Sequence, residues 1–291
     1  HQKALEKRQA LLQANAQGKI TAHLRAAMDG GRDPVEAAKG VLGYMAGVRG
    51  FLSVEQTFDA IWRLATGNNA VLFEKYGASL FRGQITGGTA PEGLVRALFG
   101  EAVDDPAISG MAKALAETFE YLRLRFNAAG GSIGKLENWG LPQGHDWLKV
   151  RDAGYRTWRD FIDPLLDSGQ MIDGLTGQPF TPERLELALR DVWESIRTGG
   201  WNDRAPGAQG MAKVANRRGD PRFLRFRDAD AWLAYQQQFG DGDVWGTITG
   251  HLHGMARDIA AMEVLGPNPH ATVTWLATTL EKELAEGPLV G

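Results

Sequence analysis

Residues 107–126, AISGMAKALAETFEYLRLRF, decide the fold class. Ile108, Met111, Leu115, Phe119, Leu122 and Phe126 recur at steps of three and four, the spacing that puts apolar side chains on one face of an α-helix. Asp105 and Pro106 stand just before them, an N-cap acceptor followed by a proline whose missing N–H is no loss in a first helical turn. Gly130 and Gly131 follow the last apolar position, where glycine eases the exit from a helix.

The same punctuation recurs outward along the chain. Thr181-Pro182 opens a stripe of Leu185, Leu189, Val192, Trp193 and Ile196, with Gly199-Gly200 beyond it. Ser53 and Gln56 have capping-box spacing for a helix running to Ala65. Asp228 caps a short helix that Gly240 ends. Ile248, Leu252, Met255, Ile259 and Met262 mark another, closed by Gly266-Pro267, and a last helix runs from about Pro269 to Glu286. No segment sustains period-two alternation or offers a hairpin turn between strands. The expected fold is all-α, a globular assembly of roughly a dozen helices joined by Gly-rich loops.

Glycines, 37 in 291 residues, exceed the ordinary ~7% and gather in 83–93, 130–144 and 199–219. They divide the chain into an N-terminal helical region (1–100), a helical block with a Trp-rich loop (101–198), and a basic loop with C-terminal helices (199–291). These are either separate units or parts of one continuous core. The net charge of −3 is too small for a global field that would draw nucleic acid or membrane. The absence of cysteine excludes disulfides, thiolate zinc sites and thiol catalysis. No apolar run approaches the ~20 residues of a membrane-spanning helix. The chain opens on His1 and falls at once into QKALEKRQALLQANAQ, so a segment of a longer polypeptide, or a tag remnant, is expected.

Five places invite a chemical reading. In WGLPQGHD (139–146), His145 beside Asp146 has the residue types of a general base, but neighbours in sequence seldom face each other. The competing reading makes Trp139, Trp147 and Trp158 anchors of a loop, with His145 in the loop's hydrogen-bond network. His251 and His253 diverge by about 200° on a helix and cannot share a metal. Residues 196–227 hold eight cationic side chains against two anionic ones, a net of +6, and Arg204, Lys213, Arg217, Arg218 and Arg222 are the candidates for phosphate contact. The glycine-rich 83–93 lacks the Lys-Ser/Thr of a P-loop. Glu137 alone, without a placed partner carboxylate, is a thin basis for glycoside hydrolysis. No catalytic residue, metal or cofactor is assigned from the sequence.

Four phrases in order, GLPQGHDWLKVRDAGYRTWRDFIDPLLD (140–167), LTGQPFTPERLELALRDVWESIRTGG (175–200), RFLRFRDADAWLAYQQQFG (222–240) and MARDIAAMEVLGPNP (255–269), resemble the large internal virion proteins of tailed bacteriophages, some of which are ejected with the genome. The resemblance implies a helical structural module, made in the host bacterial cytoplasm and carried in the virion. Its implied partners are copies of itself or portal and tail proteins, with Trp62, Trp232 and Trp275 as candidate anchors. Contact with DNA is a second expectation. Enzymatic modules also occur in such proteins, so a cell-wall-degrading domain using Glu137 or His145 is the third alternative.

Overall fold

The computed structural model describes residues 2–44, 47–81, 89–135, 141–173, 178–198 and 224–286. Ten α-helices lie among them: α1 Gln2–Asp29, α2 Pro34–Leu42, α3 Val54–Phe81, α4 Thr89–Leu98, α5 Pro106–Ala128, α6 Trp147–Ile162, α7 Pro182–Arg197, α8 Ala229–Phe239, α9 Val244–Leu265 and α10 Pro269–Glu286. Among the described residues there is no sheet, only the isolated antiparallel bridges Leu166–Phe226 and Ile172–Pro179. The all-α expectation holds.

Helix starts follow the local chemistry. The carboxylates of Asp105 and Asp228 accept from the N–H groups of Ala107 and Ala231, and the Thr181 hydroxyl from that of Arg184. Ser53 and Gln56 close both halves of their box, at 3.1 and 3.0 Å. One helix departs from the sequence expectation, and another is broken within its length. α3 continues past Ala65 to Phe81, carrying helix through the weak helix formers Gly67-Asn68-Asn69, and as an element it packs along α9. α6 is interrupted at Gly154, whose φ of 74° and ψ of 161° are not helical.

α9 is the central helix. It packs against α3, α5, α1 and α10, and buries Ile248, Leu252, Met255, Ile259 and Met262 together with residues on its other sides, as a helix enclosed by neighbours must. Most of the core is one cluster running from Ile61 to Met262. A second cluster joins Ile20, Leu24 and Ala27 of α1, Ala37, Ala38 and Val41 of α2, and Leu276 of α10 to Val264 and Leu265 at the end of α9. Polar side chains of α1 reinforce this second packing. Gln13 donates to the Leu265 carbonyl and to the Thr272 hydroxyl, and its own carbonyl accepts from the Asn268 N–H. Gln9, nearly fully buried, donates to the Gly130 carbonyl at 2.8 Å. Arg125 and Glu263 pair through both forks, at 2.7 and 2.9 Å, and tie α5 to α9.

Gly130 is where the backbone geometry tolerates no side chain. Its φ is 114°, and an added Cβ would lie 2.6 Å from Pro267 Cγ. Gly130→Ala is expected to lower stability by about 2 kcal/mol or more. Gly18→Ala, at an exposed position inside α1 with open space around it, should instead raise stability by about 0.5–1 kcal/mol. Urea unfolding midpoints of the two variants check both signs.

Candidate functional site

The first and third phrases of the resemblance meet in space. Their joint is the fully buried Tyr235 of α8, ringed by Phe226 and Phe239 with centroids at 5.3 and 5.9 Å. Trp158 of α6, also fully buried, donates its indole N–H to the Tyr235 hydroxyl at 3.1 Å. His145 Nδ1 lies 2.9 Å from the same oxygen. An indole can only donate, so Tyr235 accepts from Trp158 and has its own hydrogen to give. The arrangement that satisfies all three groups has Tyr235 donating to Nδ1, which makes His145 the neutral Nε2–H tautomer. Burial also favours the neutral ring: desolvation pushes the His145 pKa down to about 4, and pushes the Tyr235 phenol further above its ordinary value.

Backbone groups close the joint around this core. The Asp146 N–H donates to the Phe239 carbonyl at 2.8 Å, the Asp167 N–H to that of Arg225 at 2.8 Å, and the Arg227 N–H to that of Leu165 at 3.0 Å. Gln236 reaches the Gly144 carbonyl and Gln143 that of Leu224, at 3.1 and 2.6 Å.

The sequence candidates fall into place accordingly. Asp146 is not a partner of His145; it is the N-cap of α6 and accepts from the Leu148 and Lys149 N–H groups. His251 packs edge-on to Phe119 of α5, while His253 packs edge-on to Phe58 and Trp62 of α3. The two histidines therefore serve opposite sides of α9. Among the described residues no group of three His, Asp or Glu side chains converges as a metal site. Trp232 is 1% exposed and belongs to the core, which removes it as an anchor for partners. Trp62 and Trp275 pack part-buried against the two clusters. Trp147 is 44% exposed, with the Arg151 guanidinium 5.3 Å from its ring. Glu137, Trp139, and the basic candidates Arg204, Lys213, Arg217, Arg218 and Arg222 lie outside the described residues. Tyr235, the hub, went unread in the sequence; no local pattern links it to a histidine 90 positions earlier.

Tyr235→Phe strands the Trp158 N–H and His145 Nδ1 in the interior and should cost about 2 kcal/mol or more in chemical unfolding. The His145 pKa is lower folded than unfolded, so the unfolded chain takes up the proton first. Its contribution is fully present above about pH 6.5 and is lost as the pH falls toward 4, by up to ~3 kcal/mol. His23, buried against Phe51, is lowered by burial and acts in the same direction. The His145 share is the difference in pH dependence between wild type and His145→Gln, read from unfolding free energies at pH 7.5, 6 and 5.

No helix among the described residues is long and apolar enough to cross a membrane. In comparisons with known proteins, no family model, no curated protein and no solved structure matches this chain.

Proposed function

We propose that this chain is a structural module of an internal virion protein of a tailed bacteriophage, assembling with copies of itself or with portal and tail components to assist genome delivery. The observation that carries the reading is the joint at Tyr235. The Trp, His and Asp residues that give the resembling phrases their character are used there as packing, capping and hydrogen-bonding groups between helices. A neutral, desolvated His145 whose Nδ1 is taken by a tyrosine is a framework group, and this weighs against its use as a general base. Outward-facing apolar side chains give a module of this kind surface for association: Leu11 and Leu187 are each 63% exposed, and Leu52 is 57% exposed.

Mass spectrometry of purified virions should find the chain in particles, and native mass measurement should find it oligomeric or bound to portal or tail proteins. A strictly monomeric protein missing from particles overturns the proposal. The net of +6 over 196–227 favours DNA contact as a second reading. It predicts binding that weakens steeply with salt and is lost in the double variant Arg217→Ala, Arg218→Ala. No mobility shift at low salt removes it.

A further inference from the structure

The break in α6 faces a cleft. Gly154 adopts a backbone conformation that is essentially glycine-only, and a Cβ built on it meets nothing within 4 Å, so the break opens toward solvent. Above it, between α6 and α7, lies a cleft of about 880 Å³ into which Arg156, Arg159, Asp160, Glu186 and Arg190 converge.

The charges in this cleft are unequally engaged. Glu186 accepts from the Tyr155 hydroxyl at 2.6 Å and from Arg159 Nε at 3.1 Å, and these partners hold its carboxyl below the ordinary range. Arg159 is further committed to Asp160 and Asp163, at 3.3 and 3.6 Å. Glu186, Asp160 and Asp163 therefore share the one Arg159 guanidinium. Arg190 stacks over the Tyr155 ring, 4.5 Å from its centroid, and its contact with Glu186 is a distant 4.0 Å. Arg156 makes no ion pair or hydrogen bond with any described residue. The lining carries three guanidinium groups and two carboxylates, and Asp163, paired with Arg159 from outside the lining, evens the count; Arg156 and Arg190 are the two guanidinium groups that no close ion pair holds.

A stacked guanidinium keeps its in-plane N–H fork available while its orientation is fixed, which lowers the entropic cost of binding an oxyanion. A carboxylate has two oxygens and saturates a single fork. A phosphoryl group presents three oxygens and a higher charge, enough for two forks at once. The cleft volume exceeds that of one phosphate and lies in the range of small-molecule sites. We propose that the cleft binds a small phosphomonoester, its phosphoryl group held between Arg156 and Arg190 beside the Gly154 break. This assignment does not depend on where the protein resides.

The test uses the whole chain at low ionic strength, with amide resonances of residues 154–156 followed by NMR. Inorganic phosphate and glycerol phosphate are the probes, and glutamate is the carboxylate control. The expected result is a saturable shift with a midpoint at or below about 1 mM for glycerol phosphate. Arg156→Ala and Arg190→Ala should each weaken binding about tenfold or more. Arg63→Ala, an 82% exposed arginine on α3, should leave it unchanged. Inorganic phosphate should compete, and glutamate should not saturate. Shifts that stay linear at roughly ten times that concentration, equal binding of glutamate, or equal loss in Arg63→Ala would each overturn the assignment. Both cleft arginines are surface residues, and circular dichroism matching wild type ties any loss to the site rather than to unfolding.

Discussion

One hydroxyl, that of Tyr235, is the group on which the packing of the middle and C-terminal parts of the chain depends. A phenol buried among Phe226, Phe239 and Trp158 is costly unless its oxygen and hydrogen both find partners. Here they do, through a donor on α6 and an acceptor in the loop before it. Apolar surfaces alone tolerate sliding, since many rotations bury similar area. A hydrogen-bonded triad does not, because a shift of an ångström leaves three polar groups unpaired in a low-dielectric interior. The triad therefore fixes the register of α8 against α6, and the backbone bonds around it lock the same register on either side.

This joint connects segments some ninety residues apart, with α7 in the intervening chain. Closing so long a loop costs more than a short one, but only logarithmically. Several bonds made together, from Gln143–Leu224 to Arg227–Leu165, offset that cost as a unit where one bond would not. Ion pairs contribute less. Among the described residues, many join residues one turn apart on a single helix, such as Lys39–Glu36 and Arg197–Glu194, and act locally. Others cross between elements: Arg125–Glu263, Arg159–Glu186 between α6 and α7, Arg184–Asp173, and Arg96, which gathers Glu92, Glu101 and Asp230 from α4, the loop after it and α8.

What could be read in the sequence was what is decided locally. The caps at Asp105, Thr181 and Asp228 and the box at Ser53 involve atoms two or three residues apart, so composition states them directly. The divergence of His251 and His253 follows from helix geometry alone, and their separate aromatic partners agree with it. The continuation of α3 beyond Ala65 was hidden because Gly67-Asn68-Asn69 are poor helix formers. Gly154 was hidden for the converse reason. A lone glycine in RDAGYRTW is compatible with an unbroken helix, and nothing nearby in sequence announces the α7 residues that complete the cleft. The Trp158–Tyr235–His145 triad is the extreme case, since each member alone reads as an ordinary core or loop residue.

The contrast between α6 and α9 follows from what each helix must do. α6 contributes to one cluster and can bend at Gly154 without disturbing another. α9 contributes to both: Val244 to Met262 lie in the larger cluster, and Val264 and Leu265 lie in the smaller one with α1, α2 and α10. Its carbonyl at Leu265 is also the acceptor for Gln13. A break within α9 would uncouple the two clusters, whereas 22 residues of uninterrupted helix transmit the position of one to the other. Displacing α1 from its seat therefore requires either giving up the Gln13 and Gln9 contacts or moving the whole of α9 against α3 and α5. The first course breaks a few hydrogen bonds and strips a small apolar cluster, while the second opens the main core.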